Sequence, residues 1–467
     1  MDKTTFVSGM LYILLFALFI ATSIYIKKST EFFHKNSVKK AQKRKNKKKK
    51  RKKVREEILL QEESNQDKKL YILLTVGLLI RILLAPVIEG YSADMGCFKA
   101  WANAAANDLF GFYNTDMFVD YPPLYVYVLF IIGWLVKLFH AESMPWLHVM
   151  LVKLPSIFTD VFSAWFLYIM GKNKLYQRDR LFLAGTYLFN PAVLLNSTIW
   201  GQVDSFQTFI VIAALYYLSM DKIGHASVLF SAAVLMKPQG IIFLPVLFFY
   251  LLKQKNFKNF VIAGIAGIAT AVVVVLPFSF SQPPTWIFNL YFNTAAQYPY
   301  ATLNAFNLFA LFGGNFKNDS LTFFIWDYKT WGYLFIVLIT LFAAFLMFKR
   351  RSKDVVFMAS LVLMSGVFIF AHRMHERYLF PVLILSMMVY IYLRDKRFLV
   401  LYMIFSGTAL INTHWVLLKS FEKIYHLYAS DNVLRLISFT NVLAFGYLVK
   451  ICVNMVGKST DLQGEVK

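Results

Sequence analysis

Apolar residues along this chain come in long unbroken runs separated by short polar stretches, with no sustained period-two alternation. Each run is about long enough to cross a hydrocarbon layer of ~30 Å. In lipid only a helix or a closed barrel satisfies its own backbone, and unbroken runs fit helices. The expected fold is an all-α polytopic membrane protein with about thirteen transmembrane helices. These fall at residues 6–26, 70–88, 149–171, 181–199, 205–220, 226–236, 241–252, 261–278, 331–348, 355–371, 378–393, 398–411 and 436–456. The sixth and seventh form a broken pair around Lys237-Pro238-Gln239-Gly240.

Basic residues set the sidedness, because cationic loops stay on the cytoplasmic side of a membrane helix. Residues 6–26 run into a polybasic stretch that includes Lys43-Arg44-Lys45 and extends to Arg55, so the stretch is expected in the cytoplasm and the N-terminus outside. The run 124–139 resists simple threading. Counted as a span, it would send Lys172, Lys174, Arg178 and Arg180 outside and invert every later loop. It is short and interrupted by Lys137, so it reads as a helix lying on the outer surface. The chain then divides into an anchor helix (1–26), a polybasic cytoplasmic linker (27–69), a transmembrane unit (70–456) and a cytoplasmic tail (457–467). The transmembrane unit carries a long first outer loop (89–148) and a second large one (279–330).

Composition supports this reading. A length of 467 residues would suit several soluble domains, but 58% hydrophobic residues and a mean hydropathy of +0.53 do not. The net charge of +23 is concentrated beside the first helix and reads as a surface for anionic membrane lipids, so no nucleic-acid partner is expected. Cys97 and Cys452 lie far apart and define neither a disulfide framework nor a zinc site. Residues 6–26 are too long for a signal-peptide core and lack an A-x-A cleavage pattern, so they read as a retained anchor.

Against this apolar background certain polar residues stand out, all at the expected outer ends of helices. They are Asp94, Asp120-Tyr121, Lys153, Trp200-Gly201-Gln202-Val203-Asp204, Lys237 with Gln239, Asn304 with Asn307, and His372-Arg373-Met374-His375-Glu376-Arg377. Ionisable groups near a membrane are expensive and mark functional sites by default. Each also has a plain structural reading: a loop carboxylate, a helix start at Pro122-Pro123, an aromatic interfacial turn, a snorkelling lysine, an internally paired loop. Arg81 and Asp160, inside expected spans, read as packed or paired. D-x-D, P-loop, G-x-S-x-G and H-E-x-x-H patterns are all missing. A site on the outer face would lack nucleotide-activated donors, whereas a polyprenyl-phosphate sugar already carried across the membrane would serve.

From residue 70 to 393 these motifs resemble the GT-C fold glycosyltransferases that use polyprenyl-phosphate sugars. The nearest likeness is to bacterial mannosyltransferase-like proteins related to the second GPI mannosyltransferase, and a more distant one is to the dolichyl-phosphate-glucose glucosyltransferases. The resemblance rests on Asp94, Asp120-Tyr121-Pro122-Pro123-Leu124, Lys153-Leu154-Pro155 with Asp160, and Phe189-Asn190-Pro191. It continues through residues 200–205, Met236-Lys237-Pro238-Gln239, Tyr298-Pro299-Tyr300, Asn304-Ala305-Phe306-Asn307 and His375-Glu376-Arg377-Tyr378.

What it implies is an inverting transfer of a hexose, mannose first and glucose second, to an extracytoplasmic glycan or lipid-linked acceptor. Asp94 would be the general base, and Arg377, Lys237 and Arg373 would hold the donor phosphate. Asp120, Tyr121, Trp200, Gln202, Asp204, Gln239, Asn304, His375 and Glu376 would line the sugar or acceptor pocket. No cofactor is called for; Met95-Gly96 follow Asp94 in place of a second acid, which leaves dependence on a divalent metal open. Two rivals share the helices and outer charges: a transporter or flippase for sugars or lipid-linked glycans, and a noncatalytic scaffold acting through its basic tail.

Overall fold

The computed structural model describes residues 3–42, 51–350 and 352–464, with side chains at 3–28, 67–350 and 352–456. Of the linker 27–69 expected to meet anionic lipids, residues 29–66 lie outside the described side chains, as does the tail 457–467. Among the described residues the regular elements are helices, apart from one small antiparallel hairpin, Thr322–Phe323 with Trp326–Asp327.

The expectation of about thirteen membrane helices is overturned. Among the described residues six helices are long and apolar enough to cross a membrane: Lys3–Lys28, Pro145–Met170, Phe257–Phe278, Tyr328–Lys349, Arg397–Phe421 and Asn432–Val456. Other apolar helices are shorter, among them Ile223–Met236, Val355–Phe370 and Pro381–Leu393. At 1.5 Å per residue, helices of about 13 to 16 residues span roughly 20 to 24 Å, less than the ~30 Å of a hydrocarbon core. The reason the sequence misleads is visible in their surroundings. Val355–Phe370 and Pro381–Leu393 are buried on nearly every face by other helices. A helix enclosed by protein needs the same all-round apolar surface as one facing lipid.

Two further expected spans are interrupted. The run 181–199 begins in the helix Gln177–Leu188, breaks at Asn190-Pro191, and finishes as a π-helical turn, Leu195–Trp200. The run 70–88 lies in a helix that ends at Leu84 and carries the fully buried Arg81 in its last turn. Arg81 Nε lies 3.0 Å from Asp160, and its other nitrogens donate to the Gly77 and Leu188 carbonyls. Ser197 donates to the same Asp160 carboxylate. A buried charge unpaired would be costly, so this set ties three segments together.

The main core gathers most of the helices, and the N-terminal helix docks on it through Ser8 and Tyr12, whose hydroxyls meet His414 at 2.9 and 3.0 Å. A second, separate core joins Ser92–Asn107 and Pro123–Leu138 to the start of Pro145–Met170. It carries Asp94 and Asp120 to the edge of the main core. The segment 279–330 folds over the same end with the helix Trp286–Ala296 and the hairpin.

Candidate functional site

The site begins with a distortion. The π-helical turn Leu195–Trp200 ends at Gly201, whose φ of +90° is left-handed, and a Cβ there would meet Met95 Sδ at 2.5 Å. Only glycine suits that conformation without strain. Lys153, fully buried, braces the turn from behind: its Nζ donates to the carbonyls of Ala85, Ile88 and Ile199 at 2.9, 2.7 and 3.1 Å. The chain then delivers Gln202 to the surface of a cavity and places Asp204 in the first turn of the helix Asp204–Ser219, where backbone N–H groups favour an anion.

Asp94 approaches from the first turn of Ser92–Asn107. Gly90 allows this, because a Cβ there would lie 2.2 Å from the Trp200 carbonyl oxygen. Trp200 Nε1 and Gln202 Nε2 donate to Asp94 Oδ2 at 2.6 and 2.9 Å, and Arg377 lies 3.1 Å from the same oxygen. Tyr91 stacks on the Trp200 ring at 4.6 Å, and the Arg377 guanidinium lies 4.9 Å from that ring.

Two cations complete the floor. Lys237 stands where the helix Ile223–Met236 breaks before Pro238 and lies 2.5 Å from Asp204 Oδ1. Arg377 follows the end of Val355–Phe370, with Glu376 at 2.6 Å and Asp204 at 4.0 Å. Its Nε is buried and has no hydrogen-bond partner. Burial drives Glu376 upward in pKa. Burial would also raise Asp204, but Lys237 and Arg377 beside it leave it below the usual carboxylate range. Burial pushes Asp120 up to about 6, although Lys237 and a hydrogen bond from its own backbone N–H pull the other way, and among the described residues no side chain donates to its carboxylate. His375 is driven down to about 3 by burial and by Arg377, so it is neutral at physiological pH.

These groups surround a cavity of about 640 Å³ lined by Asp94, Asp120, Tyr121, Gln202, Lys237, Gln239, Asn304, Arg373, His375, Glu376 and Arg377. The structure thus brings eleven of the thirteen sequence-derived candidates to one cavity. Trp200 and Asp204 do not reach it; they are buried behind, where they orient Asp94, Arg377 and Lys237. Two lining residues are already engaged. Asn304 donates to the Tyr425 carbonyl at 2.7 Å and accepts from Leu427 N and Asn315 Nδ2 at 3.0 and 3.1 Å. Arg373 binds Asp319 at 2.7 Å and the Ala295 carbonyl at 2.5 Å. Among the described residues no three His, Cys, Asp or Glu side chains converge to hold a metal ion.

Sequence reasoning missed Tyr91, Asn196 (which donates to Asp204 at 3.0 Å), Asp319 and the rim residues Tyr425 and His426. Tyr91, three residues before Asp94, could have been found by proximity; the others carry no local signal.

The model of Glycosyltransferase family 87 matches residues 118–371, more than half of the chain. No curated protein matches it. The chain belongs to Glycosyltransferase family 87.

Proposed function

We propose that this family 87 glycosyltransferase moves a hexose, mannose first and glucose second, from a polyprenyl-phosphate donor to a hydroxyl of a glycan or lipid-linked acceptor, with inversion at the anomeric carbon. The observation that carries this reading is the contact of Asp94 with Arg377, 3.1 Å apart on one cavity wall: a carboxylate able to accept a proton beside a guanidinium able to hold a phosphate.

In this mechanism the acceptor oxygen attacks the anomeric carbon and its proton passes to Asp94. The bond from that carbon to the phosphate oxygen breaks, and its electron pair leaves with the phosphate. The leaving group is already anionic, so no second acid is needed, in contrast to glycosidases. Arg377 and Lys237 stabilise the departing charge, and Arg373 stands at the rim. Arg377 Nε is the open donor for a phosphate oxygen. Tyr121, Gln202, Gln239, His375 and Asp120 offer polar contacts to the sugar or acceptor. The catalytic unit in this proposal is 70–456, and the cavity opens on the extracytoplasmic side. The anchor 1–26 and linker 27–69 serve placement against anionic lipids.

The test uses purified protein in nanodiscs, a lipid-phosphate hexose radiolabelled in the sugar, and a panel of glycan acceptors. Label should appear on an acceptor with inverted configuration. Movement of intact donor across the bilayer with no transfer to any acceptor would refute the proposal and leave a transporter.

A further inference from the structure

The hairpin that precedes the helix Tyr328–Lys349 leaves apolar residues largely uncovered, although the Phe324 ring leans on Phe323 at 4.5 Å. Phe324 and Ile325, the two turn residues between the paired strands, are 72% and 73% exposed, and Leu321, Trp326 and Phe312 beside them are also exposed. Phe324 has a φ of +60°, a conformation that a bulky side chain adopts only under strain. A water-facing turn would carry Asn or Gly there.

The hairpin is firmly mounted. Asp327 caps the helix by accepting from Thr330 N at 2.6 Å, and Trp331 Nε1 donates to the Phe323 carbonyl at 2.8 Å. Phe323 faces inward, stacked on Tyr328 at 4.9 Å, while Phe324 and Ile325 face out. The helix it begins is one of the membrane-crossing candidates, and Tyr333, Val337, Leu341, Phe345 and Phe348 form an exposed apolar stripe along it. The apolar tip is therefore continuous with a lipid-facing flank. Exposed Lys317 and Lys329 flank it, as suits a surface of lipid phosphates. Its base reaches the cavity: Asp319, buried, binds Arg373 Nε at 2.7 Å, and Asp319 N donates to the Pro299 carbonyl at 2.9 Å.

We propose that residues 318–327 are an interfacial anchor whose tip, Phe324 and Ile325, inserts into the lipid leaflet on the cavity side and fixes the depth of residues 372–378 relative to the head groups. The partner is the bilayer itself rather than a protein. The inference rests on membrane lodging and on the hairpin's geometry, and it holds whichever sugar is transferred.

The test is a depth measurement on the full chain in nanodiscs, with Cys97→Ser and Cys452→Ala as background and a single nitroxide at Phe324→Cys. Val337→Cys reports the lipid flank and Asp116→Cys an exposed loop. The Phe324 label should collide with oxygen as the Val337 label does and be shielded from a water-soluble nickel chelate several-fold relative to Asp116. Nickel access equal to that of Asp116 overturns the proposal. So does exclusion of both reagents with dipolar broadening between labels, which would mean a second copy covers the tip. As a second measurement, Phe324→Asn with Ile325→Gly suits the turn better and should fold with unchanged or higher Tm. It should lose the insertion read from a nitroxide at Leu321→Cys; retained insertion in that variant also overturns the assignment.

Discussion

The rim and the floor of the cavity use the same residue types and differ in how fully those residues are paired. At the rim, Arg373 is held by Asp319 and a backbone carbonyl, and both ends of the Asn304 amide are bonded. On the floor, Arg377 faces three carboxylates with no hydrogen bond on its Nε, and among the described residues the Asp120 carboxylate meets its own backbone N–H but no side-chain donor. A closed hydrogen-bonding set is scaffold, because a ligand would have to break it. A buried donor without a hydrogen bond, such as Arg377 Nε beside the cavity, has capacity left to bind an anion.

The sharpest way to break the comparison is to neutralise the floor. Asp94→Asn retains size but not the capacity to accept a proton, and loss of a general base typically lowers turnover ~10²–10⁴-fold. Single-turnover rates should show that loss while donor affinity stays near that of the wild type. Near-normal turnover would remove Asp94 from the mechanism.

Arg377→Gln comes next. It removes the open donor and strips Asp94 and Glu376 of their partner. Truncating one member of a buried charge pair costs about 2–5 kcal/mol, so donor affinity should fall about 30-fold or more. Arg377→Lys should lie between, since a point charge cannot replace the planar fork. Titration of a lipid-phosphate sugar into nanodiscs measures both. Wild-type affinity in Arg377→Gln would move the phosphate site to Lys237.

A smaller effect distinguishes the Asp120 carboxylate. With its pKa raised to about 6, Asp120 is neutral below that pH and anionic above it. A phosphodiester keeps one negative charge throughout this range. Donor affinity should therefore weaken as pH rises through about 6, since a like charge then appears in the cavity. Unit charges 4 Å apart in water interact by about 1 kcal/mol, which is roughly fivefold. Asp120→Asn should bind with the low-pH affinity throughout and flatten the profile; an unchanged slope would exclude Asp120 as its source.

The smallest kinetic effect belongs to the rim. Arg373→Gln should change donor affinity by no more than about twofold, within the range of partly exposed ion pairs. Its loss should instead lower Tm, because Asp319 is buried and would be left without its closest cation. An effect on donor binding equal to that of Arg377→Gln would erase the distinction between rim and floor.

Much of the floor was legible because ionisable residues stand out in an apolar chain. Asp94, Lys237 and Arg377 can be chosen from the sequence on that ground alone. Their partners cannot. Asp319 lies 54 positions from Arg373, and nothing local separates it from other loop acids. Nor does local sequence separate Arg373 from Arg377, four residues apart in one motif, although one is held by the rim and the other faces the floor.

The fold divides in the same way. By itself the sequence determined that the chain is helical and lodged in a membrane, because unbroken apolar runs leave no other means of satisfying the backbone. Only the tertiary structure decided which runs meet lipid. Only Ala263 of Phe257–Val275 is buried, whereas Val355–Phe370 is almost wholly enclosed by other helices, yet both read as continuous apolar segments. An apolar side chain is satisfied equally by a lipid tail or by another helix, so its pattern does not say which it will meet. A charge is satisfied only by particular atoms at short range, and the fold alone sets those distances.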